Sequence, residues 1–202
     1  MEEVILHLYM LNYCGHKCKL CCNKKYDIEK LPVVTDEQLK SCTTLCLTGG
    51  DPFYITSYKL EAFVFDLRLK YPNIQNVYVY TSGAALWEVG FFERINFNLF
   101  DAINIAPKNN NDWNRTLGVL KKQAYPKSKN NKNRLYVFKD QMEYYQALTE
   151  CLKVYPYIKK QFEEYFEVLF RTWDEEFKTP DNEYFVRLEK LYEAEQRPRL
   201  HA

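Results

Sequence analysis

The run Val4-Ile5-Leu6-His7-Leu8-Tyr9-Met10-Leu11 and the stretch soon after it, Tyr13-Cys14-Gly15-His16-Lys17-Cys18-Lys19-Leu20-Cys21-Cys22, decide how the chain reads. The first alternates and then runs apolar, as a buried first strand does. The second sets Cys14, Cys18 and Cys21 at Cys-x3-Cys-x2-Cys spacing, so three soft thiolate donors share the loop leaving that strand.

Two chemistries suit such a loop. A cubane iron-sulfur cluster offers four irons to sulfur, so three cysteines leave one iron open to an outside ligand. Structural zinc instead wants four ligands in a tetrahedron, with Cys22 or His16 as the fourth. The spacing leaves both open, and buried unliganded cysteines are a third reading.

Outward from this loop the chain alternates. A short helix is expected from the cap at Thr35 through about Ser41, with Gln38 at the capping-box position. Thr44-Leu45-Cys46-Leu47 reads as a second strand, ended by Gly49-Gly50-Asp51-Pro52. Tyr58 to Lys70 has helical apolar spacing, and Asn76 to Tyr80 is a third strand ending in Thr81-Ser82-Gly83. Leu86 to Phe97 reads as a helix, Phe100 to Ala106 as a fourth strand before Pro107-Lys108, and Arg134 to Lys139 as a fifth. Strands and helices alternating in this way argue βαβ units and a parallel sheet. Ligands on such sheets bind beyond the carboxyl ends of the strands, where these four loops converge.

Asn109 to Asn133 reads as a long exposed loop with one helical turn near Trp113 to Leu120. Eight basic residues stand between Lys108 and Arg134 against one acidic, Asp112, so the loop is either solvated or holds an anionic partner. From Asp140 the pattern turns helical: Asp140 to Val154, Tyr157 to Phe177 and Asp181 to Glu195. The expected organisation is a core over residues 1–140 with a C-terminal helical extension over 141–202. The stripe Phe162, Tyr165, Phe166, Leu169, Phe170 and Trp173 reads as core, with a homodimer or protein-partner surface as the alternative.

Composition is 47% hydrophobic and 27% charged with a formal charge of +1, that of a globular protein without an overall nucleic-acid or membrane signature. The acidic start Met1-Glu2-Glu3 lacks the basic n-region of a secretion signal. Seven clustered cysteines suit a reducing compartment rather than a disulfide framework, so the cytoplasm is expected. Cys42, Cys46 and Cys151 read as buried apolar thiols.

Taken together, the four loop motifs over residues 4 to 140 resemble those of the radical S-adenosylmethionine (SAM) enzymes. The resemblance implies a partial (β/α)6 barrel in which Cys14, Cys18 and Cys21 bind a [4Fe-4S] cluster whose open iron takes the methionine end of SAM. Gly49-Gly50-Asp51-Pro52 resembles the family's Gly-Gly-Glu-Pro, implying that Gly49, Gly50 and Asp51 receive the SAM amino group. Ser82, in Thr81-Ser82-Gly83, stands where the family often has Asn near the ribose or carboxylate. Leu20 stands where an aromatic residue often faces the adenine.

The family implies reductive cleavage of SAM to a 5′-deoxyadenosyl radical, hydrogen abstraction from a small-molecule substrate, and an external electron donor of flavodoxin or ferredoxin type. Ala106-Pro107-Lys108 is similar to the Ser-Pro-Lys of the 7-carboxy-7-deazaguanine synthases, which implies Lys108 at the ligand and Mg2+. Those synthases carry Cys-Asp-Thr where this chain has Cys22-Asn23-Lys24. Competing expectations are an activase forming a glycyl radical on a partner protein, a zinc-bound interaction module, and a member that keeps the fold without the chemistry.

Overall fold

A computed structural model describes residues 3–16, 18, 21–25, 27–90, 95–128, 130–172 and 182–194, with the backbone alone at 22 and 25. Leu20, Lys17, Lys19 and Trp173 lie outside the described residues.

Seven strands form one sheet in the order β6-β5-β4-β3-β2-β1-β7, and every pairing is parallel. They are β1 (Ile5–Tyr13), β2 (Thr44–Gly50), β3 (Asn76–Thr81), β4 (Ala102–Ile105), β5 (Asn133–Phe138), β6 (Phe166–Arg171) and β7 (Glu183–Tyr192). The helices are α1 (Cys22–Lys25), α2 (Asp36–Ser41), α3 (Ser57–Lys70), α4 (Ala84–Glu88), α5 (Asn110–Lys122), α6 (Met142–Val154) and α7 (Pro156–Tyr165). Each strand from β1 to β6 lies beside its predecessor, so right-handed crossovers carry the intervening helices to one face of the sheet.

The inward residues of that face, Leu6, Leu8, Leu45, Leu47, Val77, Val79, Ile103, Ile105, Leu135 and Val137, form one apolar core with the helices. The opposite face carries His7, Cys46, Tyr78, Tyr80, Asn104, Arg134 and Tyr136, none of which belongs to that core.

Local signals explain several elements. The Thr35 side chain accepts from the Gln38 amide while the Gln38 side chain accepts from the Thr35 amide, the expected capping box of α2. Asn133 on β5 ties β4 to the end of α7: its Oδ1 accepts from Ile103 N at 2.9 Å and its Nδ2 donates to Tyr165 O at 3.1 Å.

Several expectations are corrected. Asn110 to Lys122 is a full helix rather than a loop with one turn, because Trp113, Thr116, Val119 and Leu120 recur at helical spacing and are buried. The helix expected over 157–177 ends at Tyr165, where the chain enters β6, and the one expected over 181–195 is instead β7 across 183–192. The C-terminal part is therefore not a purely helical extension: it adds a strand to each edge of the sheet. Of the helix expected from Leu86 to Phe97, the part through Glu88 lies in α4 and Val89 and Gly90 stay helical, 91–94 lie outside the described residues, and a 3-10 turn covers Phe97–Leu99. Cys42 and Cys46 are buried as expected, whereas Cys151 is exposed on α6. Among the described residues no helix is long and apolar enough to cross a membrane.

Candidate functional site

The site is built where β1, β2 and β3 end on the same edge of the sheet. Beyond Tyr9 the register of β1 on β2 shifts, and Tyr13 comes to pair with Gly50. Both glycines hold left-handed backbone, φ +75° at Gly49 and +90° at Gly50. A Cβ at Gly50 would lie 2.3 Å from Tyr13 O, and one at Gly49 2.6 Å from a Tyr9 ring carbon. The pair is therefore required by the close approach of β1 itself, a constraint only glycine meets.

Asp51 locks this end to the next strand. Its Oδ2 accepts from Thr81 Oγ1 at 2.8 Å, Ser82 N at 3.0 Å and Ser82 Oγ at 3.1 Å, and its Oδ1 accepts from Phe53 N at 3.2 Å. The carboxylate is 1% exposed. Burial pushes its pKa up while these donors pull it down. Asp51 and the Ser82 hydroxyl thus face each other and build the rim.

Cys14, Cys18 and Cys21 gather on the loop beyond β1, each half-buried. Burial pushes the Cys14 thiol up to about 11, and negative charge at Asp51, Cys18 and Cys21 pushes the same way. Burial also raises Cys18, against the pull of Lys108. Negative charge at Cys18 and Cys21 acts on Cys14, and a bound cation would stabilise the Cys14 and Cys18 thiolates that burial disfavours. Among the described residues no three His, Cys, Asp or Glu side chains converge on one metal-sized point.

On the far side of the loop stands Asp112, in the first turn of α5. Its Oδ2 accepts from Lys108 N at 2.8 Å and lies 3.3 Å from His16 Nε2, without the alignment of a hydrogen bond. Its Oδ1 is buried with no protein partner. The Lys108 ammonium rests 4.5 Å from the Phe138 ring centre, and its backbone carbonyl accepts from Gln141 Nε2 at 2.9 Å.

A cavity of about 720 Å³ opens beside the cysteines, lined by Tyr13, Cys14, His16, Cys21, Asn23 and Lys24 among others. No protein-family model matches this chain, and no curated protein matches it.

The expected residues thus fall into two groups. Cys14, Cys18, Cys21, Gly49, Gly50 and Lys108 cluster around the loop, while Asp51 and Ser82 are engaged with each other. Leu20 lies outside the described residues. Sequence reading missed Asn23, whose Oδ1 accepts from Gly50 N at 3.1 Å and whose Nδ2 donates to Asn12 Oδ1 at 2.9 Å. No spacing or motif announces that role. It also missed Asp112, although Asn109 three residues earlier is a readable cap signal.

Proposed function

We propose that this chain is a radical SAM enzyme: Cys14, Cys18 and Cys21 hold a [4Fe-4S] cluster beside a pocket for SAM, on a partial (β/α)6 barrel formed by β1 to β6. The observation that carries the reading is three half-buried free cysteines on one loop beside a glycine pair at the carboxyl edge of a parallel sheet ordered β1 to β6. By its chemistry the donor set suits the cluster, being three soft thiols on one loop and no fourth assigned ligand.

When bound, such a cluster supplies the electron that splits the sulfonium of SAM and so starts hydrogen abstraction from substrate. The protein's own residues have narrower tasks. Asn23 and Tyr13 fix the glycine strand end, the former by holding the Gly50 amide and the latter by accepting from Asp51 N at 2.9 Å. Asp51, Thr81 and Ser82 keep the β2 and β3 ends in one rim. Lys108 adds positive charge near Cys18, which favours the thiolate. In this reading Asp51 and Ser82 scaffold the pocket rather than touch SAM.

The test is anaerobic reconstitution with ferrous iron and sulfide, followed by SAM and dithionite. The expected result is a brown protein that releases methionine and 5′-deoxyadenosine, with both properties lost in Cys14→Ala, Cys18→Ala or Cys21→Ala and kept in Cys22→Ala. A colourless protein that takes up one tight zinc and leaves SAM intact overturns the reading in favour of a zinc-bound module.

A further inference from the structure

Parallel sheets normally have both faces covered, yet the second face of this one carries polar and aromatic side chains. The registers set them in lateral rows. One row runs Phe185, His7, Cys46, Tyr78; the next runs Tyr80, Asn104, Arg134, Glu167.

Three observations in the second row point to a ligand. Asn104 is 1% exposed, and its Nδ2 has no partner. A buried amide left unpaired is destabilising, and an acceptor on a bound molecule removes that cost. On the adjoining strand, Arg134 is directly opposite Asn104. Its guanidinium lies 5.9 Å from the Tyr78 ring centre and forms an ion pair with the Glu167 carboxylate at 3.7 Å. Tyr80 is opposite Asn104 on the other side. Donors are thus concentrated between flat phenol rings.

We infer that this face binds a small anionic molecule with a flat ring, its carboxylate or phosphate oxygens taken by Arg134 and Asn104 and its ring laid against Tyr78, Tyr80 or Tyr136. Arginine suits this role because its planar fork matches either oxyanion and stacks on aromatic faces. Identifying the molecule as the substrate rests on the radical SAM reading; the binding does not.

Binding is therefore measured on metal-free protein without SAM, using benzoate, phenyl phosphate and neutral benzyl alcohol in ligand-observed NMR titrations. The expected result is binding of one or both anions, with benzyl alcohol at least about tenfold weaker. Preference for benzoate or phenyl phosphate identifies carboxylate or phosphate as the natural group. Arg134→Ala loses at least about tenfold in affinity, equivalent to about 1.4 kcal/mol, and Arg134→Lys recovers part of it. Asn104→Leu weakens anion binding yet melts no lower than wild type, since it removes an unpaired buried amide. Equal binding of the neutral probe, no binding of either anion, or unchanged affinity in both the Arg134 and Asn104 variants overturns the inference. Normal SAM cleavage alongside such a failure leaves the enzyme assignment standing, and failed cleavage with intact anion binding does the reverse.

Discussion

Asp51 holds four donors inside a rim almost free of solvent, so its removal strands them all. Asp51→Ala is expected to lower unfolding free energy by at least about 2 kcal/mol, read from the urea midpoint. Asp51→Asn recovers only part, because an amide turns one acceptor into a donor facing other donors. His7 tests the opposite face. It lies 3.0 Å from Glu183, stacks on Phe185 at 4.5 Å and sits near the Tyr80 ring at 6.0 Å. Burial lowers its pKa, outweighing the upward pull of Glu183. On acidification below about pH 6.5 the unfolded imidazole therefore takes its proton first, and stability falls as pH falls. Thermal melts from pH 7.5 downward are expected to show a steeper acid loss for wild type than for His7→Gln; parallel curves would remove His7 as the cause.

Elements marked by a local apolar pattern of the right period were readable, and strands whose local pattern fits a helix but which pair into the sheet were not. The first four strands announced themselves through apolar runs ended by Gly, Pro or Ser, the fifth through its apolar run alone, and α2 through Thr35 and Gln38. The α5 helix was masked by its Asn- and Lys-rich outer side, although Trp113, Thr116 and Leu120 carried the period. The two C-terminal strands failed for a different reason. Phe162, Phe166, Leu169 and Phe170 fit a helical stripe, but from Phe166 the backbone pairs with β5, whose edge no local pattern records. Likewise β7 pairs with β1, so Ile5 lies opposite Glu183 across nearly the whole chain. The glycine pair was visible as a motif, but its cause, the approach of Tyr9 and Tyr13, was not. If β7 seals the β1 edge, placing a charge at Val186, which is 1% exposed, should unseat it. Val186→Asp is expected to reduce soluble yield and increase aggregation, as an uncovered strand edge does; a monomeric, normally melting variant would count against that role.

At the scale of the molecule, the cysteine loop hangs from the strand that joins β7 to the rest of the sheet. β1 lies between β2 and β7, and Tyr13 at its end is fixed to Gly50 and Asp51. A metal group held by Cys14, Cys18 and Cys21 would therefore brace the sheet as well as the loop, because binding free energy confined to the folded state adds to folding stability. For a chain of this size each kcal/mol moves the melting midpoint by about 2–4 °C. Reconstituted protein is expected to melt several degrees above the metal-free form, with chelation reversing the gain. Cys14→Ala should abolish the gain, while Cys151→Ala, on the exposed side of α6, should retain it. A midpoint indifferent to loading would mean that the loop moves independently of β1, and the rim built by Asp51 could then not transmit the position of the cysteines to the glycine pair.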